Sequence, residues 1–315
     1  MKTTQITKRR FFSLAGRTAV GMAALSQITV ELRGAEPFQR SGPSRIRPSL
    51  CAYSLRDFFK YQSGKTRPKP EATLDMFQFI DYCAKEGWDA AEITSYYFPP
   101  DFDTAYLTKL KRHAALSGVT VSGASVGSVL THPPGASRDK EIAHVKIWLQ
   151  HASILGAPYL RVFAGNAEKQ QPLEEARKWT IDGLMECAAE GEKLGVLIGM
   201  EDHGGIVGDA DGVLAIIQAA KTEWLGVNLD VGNFGTEDPY EDIKRCAPYA
   251  VNVHWKPVIK DHQKSGSRAA DWPRIVKILR EANYHGYLAL EYELKEDPYT
   301  ALPDLLAKTR AALTS

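Results

Sequence analysis

Eight short apolar runs, each leading into a stretch of helical periodicity, constrain this chain more than any other feature. The runs are SLCAYS (49–54), DAAEIT (89–94), VTVSGAS (119–125), YLRVFA (159–164), VLIGME (196–201), LGVNLDV (225–231), AVNVHW (250–255) and YLALEY (287–292). Each lies between Gly, Pro or polar residues, as strands buried on both faces do. Helix-length segments separate them. EATLDMFQFIDYCAKEG puts Leu74, Phe77, Ile80 and Ala84 on one face and stops at Gly87. LEEARKWTIDGLMECAAEGEKLG stops in the same way at Gly195. A glycine just past the last periodic residue is a helix stop signal. Eight such units over about 265 residues predict an α/β fold, a single-domain (β/α)8 barrel spanning 48–315. An open doubly wound sheet has the same alternation. No GxGxxG follows the first run, which weighs against its dinucleotide-binding version.

At 315 residues, 44% hydrophobic and 24% charged, the chain has enough apolar material for one large core. A net charge of +1 argues against a nucleic-acid partner. Cys51, Cys83, Cys187 and Cys246 form no CxxC pair and read as buried free thiols. Residues 1–35 read as an export signal. KRRFFSLAG (8–16) places Arg9 and Arg10 directly before a mildly apolar stretch, a twin-arginine pattern too short and polar to span a bilayer. Arg17 interrupts that stretch. The expectation is an exported, periplasmic protein with no membrane span once mature, and residues 36–47 read as a linker.

Four runs end in a residue that can ligate a metal. Glu201 closes the fifth, Asp230 the sixth, His254 the seventh and Glu291 the eighth. In a barrel the C-terminal strand ends ring one pocket, so four adjacent ends would aim these side chains at a common point. Three carboxylates and an imidazole suit one divalent ion, with Mn2+ first and Mg2+, Co2+ or Zn2+ as alternatives. A carboxylate ending an apolar strand is costly to bury unless it is paired or metal-bound.

The segments MEDHGG, LDVGN, VHWK and LALEYE, with YYFP after the second run, resemble the xylose isomerase-like barrel superfamily in its sugar phosphate isomerase/epimerase branch. The resemblance covers roughly residues 48–315. It implies the ligand order Glu201, Asp230, His254, Glu291. Its ketose 3-epimerases further imply that Glu201 and Glu291 double as the acid/base pair. The trinuclear zinc endonucleases of the superfamily need a His where Asn233 stands, and Thr94 and Ser125 replace other His positions, so DNA repair is not expected.

Further candidates surround these four. Lys256, two residues after His254, shares its side-chain parity on a strand and could stabilise an enediolate. His203 could orient Glu201. Tyr53 could stack on a sugar ring or pack as an aromatic. Glu92 and Arg161 suit either substrate contacts or a structural ion pair, and Asn233 is a further substrate-binding candidate. Basic loops at 60–70 and 256–268 suggest a cationic rim. The expected activity is metal-dependent isomerisation or epimerisation of a small sugar, by proton abstraction next to a carbonyl through an enediolate that the metal stabilises. A lyase or hydratase acting on a keto-sugar or keto-glycoside shares the first step. A non-catalytic sugar-binding barrel is the alternative of another class, and homo-oligomerisation is left open.

Overall fold

Strands that are apolar on both faces need a cover on each side, and in this chain closure supplies it. The computed structural model describes residues 35–262 and 266–314. The strands β1 (Ile46–Cys51), β2 (Ala90–Thr94), β3 (Thr120–Ser125), β4 (Tyr159–Phe163), β5 (Leu197–Glu201), β6 (Leu225–Asp230), β7 (Ala250–Trp255) and β8 (Gly286–Leu290) form a closed parallel barrel. The last strand pairs with the first, Ile46 opposite Gly286 through Leu50 opposite Leu290. Outside it lie α1 (Met76–Glu86), α2 (Thr104–Leu116), α3 (Ala136–Leu155), α4 (Leu173–Leu194), α5 (Ala210–Ala219), α6 (Pro239–Cys246), α7 (Trp272–Glu281) and α8 (Pro298–Thr314). Two small hairpins, Tyr61–Thr66 and Val258–Ala269, decorate the face where the strands end. This is the expected (β/α)8 barrel. No described helix is long and apolar enough to cross a membrane.

Local chemistry sets the helix ends. Asp75 and Gln78 form a reciprocal capping box at the start of α1. Gly87 and Gly195 end α1 and α4 in the left-handed conformation, as their positions predict. The buried face of α1 is Met76, Phe79, Ile80 and Cys83, which corrects the expected one. Leu74 precedes the cap and bridges to Phe59, while Phe77 and Ala84 are only half-buried. All four cysteines are buried and free.

Ala35 and two residues of the stretch expected to be a linker are tied to the barrel by hydrogen bonds. The Ala35 N–H donates to Ala220 O at 2.9 Å, the Phe38 N–H to Pro248 O at 3.0 Å, and the Ser44 hydroxyl to Tyr284 O at 2.5 Å. These acceptors precede β6, β7 and β8, so the stretch lies across the entry end of those strands. The twin-arginine segment before it lies outside the described residues.

One close approach holds the interior together. Gly123 on β3 faces the ring of Tyr159 on β4, and an added Cβ would stand 2.0 Å from its Cζ. Gly123→Ala is therefore expected to destabilise the fold by roughly 1–3 kcal/mol or more. Chemical denaturation would check this, and an unchanged midpoint would mean that the ring moves aside freely.

Candidate active site

Strand register brings the four ligand candidates together. Asp230 lies opposite His254 across β6 and β7, and Glu201 opposite Asn228 across β5 and β6. Glu291 falls one residue beyond β8, and its N–H still donates to Trp255 O at 3.0 Å. All four side chains are buried. Around the His254 Nδ1 atom stand Glu201 Oε2 at 3.4 Å, Glu291 Oε2 at 3.7 Å and Asp230 Oδ2 at 3.9 Å.

The tautomer of His254 gives this cluster its meaning. Nε2 lies 3.0 and 3.1 Å from the two oxygens of Glu92. An ionised carboxylate only accepts, so Nε2 carries the proton and donates. In the neutral ring Nδ1 is then the lone-pair nitrogen, and it faces three carboxylate oxygens. Burial would lower the pKa of His254, but Glu92, Glu291 and Glu201 raise it well above normal, so Nδ1 faces the carboxylates either as a proton donor or, with a divalent cation in place of that proton, as a ligand. Nδ1 is also buried without a hydrogen-bond partner among the described residues. Around the site the buried carboxylates Glu92, Glu201, Asp202, Asp230 and Glu291 outnumber the buried cationic side chains Arg161 and Lys256 by three. A divalent cation held there would offset most of that excess. The donor set therefore fits the expected metal.

Glu92 was left open between a substrate contact and a structural ion pair, and it pairs with His254. It is fully buried beneath the ligands, held by the Tyr159 hydroxyl at 2.7 Å, by Asn252 Nδ2 at 3.0 Å and by His254. Burial alone would raise its pKa, but His254 and Tyr159 hold it below the ordinary value. Asn252 Nδ2 also reaches Asn228 Oδ1 at 2.7 Å, and Asn228 Nδ2 reaches Glu201 Oε2 at 3.2 Å. A polar layer thus links Glu92 under His254 to Glu201 on the other side. Carboxylates behind a metal-binding His typically support affinity by 10–100-fold. Glu92→Gln should weaken Mn2+ binding by about that factor in a calorimetric titration; unchanged affinity would mean the strand alone aims His254.

Arg161 takes the structural option left open for it. Its Nε lies 3.1 Å from Glu201 Oε2, and its guanidinium carbon stands 4.0 Å over the Phe163 ring. Burial would raise the pKa of Glu201, but Arg161 and His254 overcome that and hold it well below the carboxylate range. His203 contacts Glu201 as expected, Nδ1 to Oε1 at 2.9 Å. Asn233 Nδ2 reaches the same oxygen at 3.4 Å, so it too contacts a ligand.

Lys256 points into the cluster, with Nζ 3.1 Å from both Asp230 Oδ2 and Glu291 Oε2 and 2.5 Å from Glu293 Oε2. Burial would lower its pKa, yet Asp230, Glu291 and Glu293 raise it well above normal. It is held as a cation and is not a base. Asp230 is raised to about 6 by burial, partly offset by Lys256 and reinforced by Glu201 and Glu291. Asp202, fully buried, accepts the Asp230 N–H at 2.7 Å; burial and then Asp230 push its own pKa well up. Tyr53 is in a 3-10 turn (Ala52–Leu55) rather than a strand, half-buried near Glu293. The basic rim is partly neutralised. Lys60 pairs with Asp75 at 3.2 Å, Arg67 with Asp57 at 3.3 Å, and Lys260 donates to Asn233 O.

The supports missed from sequence were Asn228, Asn252, Tyr159, Asp202 and Glu293. Four of these stand two residues from a candidate that had been singled out, a spacing that puts both on one side of an extended chain.

The sequence profile of the xylose isomerase-like TIM barrel family matches residues 80–312. No curated protein matches the chain in sequence. Solved structures with this fold include a D-psicose 3-epimerase with D-tagatose from Clostridium cellulolyticum H10, at TM-score 0.65 and 16% identity over 85% of this chain and 97% of that one. A 3-keto-D-glucoside 4-epimerase from E. coli, in apo form, aligns at 0.61 and 18% over 80% and 99%. A xylose isomerase-like TIM barrel protein from Mycobacterium smegmatis, in complex with magnesium, aligns at 0.65 and 15% over 85% and 96%. At these identities the likeness is one of fold.

Proposed function

The chain belongs to the xylose isomerase-like TIM barrel family, and from that premise we propose that it is a divalent-metal-dependent isomerase or epimerase of small sugars. The observation that carries this reading is His254 Nδ1 facing Glu201, Asp230 and Glu291 where the barrel strands end. The sugar epimerases of the same fold support the substrate class.

These four residues would hold the ion. A divalent cation there supplies Lewis acidity, which polarises a carbonyl and lowers the energy of an enediolate. The protein's own groups handle the protons. Glu201 is tied by Arg161, His203, Asn228 and Asn233, so it serves first as a fixed ligand. Glu291 has Lys256 and His254 beside it and is the freer carboxylate. We assign it as the base that removes the proton next to the carbonyl, with Glu201 as the partner on the other side. Lys256 offers a positive charge to the developing oxyanion.

Incubating the Mn2+-loaded protein with a panel of ketoses and keto-glycosides tests this. An epimer or isomer should form, vanish with a chelator and return with added Mn2+. Loss of water or of an aglycone instead would assign the lyase chemistry. Turnover that ignores the chelator would contradict metal dependence.

Export is part of the same proposal and rests on Arg9 and Arg10 alone. Replacing both with Lys should leave the precursor in the cytoplasm; normal processing of that variant would contradict a twin-arginine route.

A further inference from the structure

We propose that a groove beside the site takes a flat apolar substituent, so that the substrate is a sugar bearing an aglycone rather than a bare monosaccharide. The proposal rests on the sugar reading above. The groove encloses about 770 Å³ and runs from Tyr96 and Phe163 out to Val129 and Ile147. Its inner end adjoins the active site. Phe163 packs against Arg161 on one hand and against the His203 ring on the other, with centroids 4.3 Å apart. Both of those residues contact Glu201.

Its lining is apolar and open. Ile147 is 49% exposed and Val129 is 36% exposed, unusual for aliphatic side chains that share one concave surface. Gly127 keeps the wall beside Tyr96 thin; an added Cβ there would stand 2.8 Å from the Tyr96 hydroxyl. Ser128 and Glu141, on the groove's walls, are already engaged, whereas Lys140 and His144 stand exposed on its α3 side. The Ser128 hydroxyl donates to Phe163 O at 2.8 Å and accepts from Phe163 N at 3.0 Å. The Glu141 carboxylate accepts the Val129 N–H at 3.0 Å. A second sugar ring against the apolar wall of Tyr96, Val129, Ile147 and Phe163 would give up hydration there for few hydrogen bonds. An aromatic ring would give up little and bury apolar area. Lys140 and Ile147 both line it, seven residues apart on α3. At 1.5 Å per residue this spans ~10 Å, room for one or two fused rings.

Calorimetric titration of the Mn2+-loaded protein with 4-nitrophenyl β-D-glucopyranoside and with methyl β-D-glucopyranoside tests the subsite without needing turnover. The aryl glycoside should bind about tenfold tighter, the return on burying ~50–60 Å² of ring. Ile147→Asp, at a half-exposed helix position that tolerates charge, should erase that advantage and leave methyl glycoside binding and metal content unchanged. Equal affinities, or an aryl advantage that survives Ile147→Asp, would overturn the subsite and leave the sugar site standing. Binding of neither glycoside would overturn the subsite alone, and the ketose and keto-glycoside panel above decides the sugar reading separately.

Discussion

Asp230→Ala should eliminate stoichiometric Mn2+ binding and at the same time raise the thermal midpoint of the metal-free protein. Both effects have one cause. Asp230 is fully buried, and its Oδ2, 3.1 Å from Lys256 Nζ, also stands near Glu201 and Glu291. Burial and its carboxylate neighbours raise its pKa to about 6. A carboxyl raised in the folded state opposes folding once it must ionise. The penalty begins above its ordinary pKa and is complete above about pH 6. At neutral pH its removal relieves that strain, and Lys256 keeps Glu291 and Glu293 as partners. His254→Ala should abolish binding as well, but it strips buried Glu92 of its closest cationic partner, so stability should fall. The two variants thus share a metal phenotype and differ in the sign of their stability change. Elemental analysis with thermal melts reads both. Undiminished metal in either variant would remove that residue from the ligand set.

The second large effect is on turnover. Glu291→Gln keeps the side chain's size and one oxygen but removes the base. It should retain much of its metal and lose turnover by about 10²–10⁴-fold, the usual worth of general acid/base catalysis. Glu201→Gln should lose turnover too, and metal with it. A Gln there turns an NH2 toward donors that now find a carboxylate, among them buried Arg161. An unpaired buried cation is destabilising by about 3–5 kcal/mol. Measuring kcat and metal content side by side separates the two roles. Near-normal turnover in metal-loaded Glu291→Gln would mean the base lies elsewhere.

The barrel was legible because strand length, helix period and glycine stops all agree along the chain. The four ligand candidates were legible because an apolar strand seldom ends in a buried carboxylate or imidazole without cause. What the ligands rest on was harder to read. Glu92 and Arg161 look like any charged residue near a strand end, and only the closed barrel puts Glu92 behind His254 from across the interior. Asn228 and Asn252 sit two residues before Asp230 and His254, so alternation alone could have marked them as inward-facing. Leu74 was misplaced because its apolar spacing fits a helix, whereas Asp75 caps that helix one residue later. The 36–47 stretch was misread because its Pro and Ser content suits a linker equally well. Its hydrogen bonds, from Phe38 and Ser44, reach backbone groups of Pro248 and Tyr284, far away in sequence.

The central claim is that this centre removes a proton from carbon next to a carbonyl. Incubating the Mn2+-loaded protein with the ketose or keto-glycoside it binds, in heavy water, tests that step directly by NMR. Deuterium should enter at the carbon beside the carbonyl, at a rate that collapses in Glu291→Gln and on chelation. Product formed with no solvent deuterium at that carbon, or deuterium entry that is indifferent to Glu291 and to metal, would contradict it.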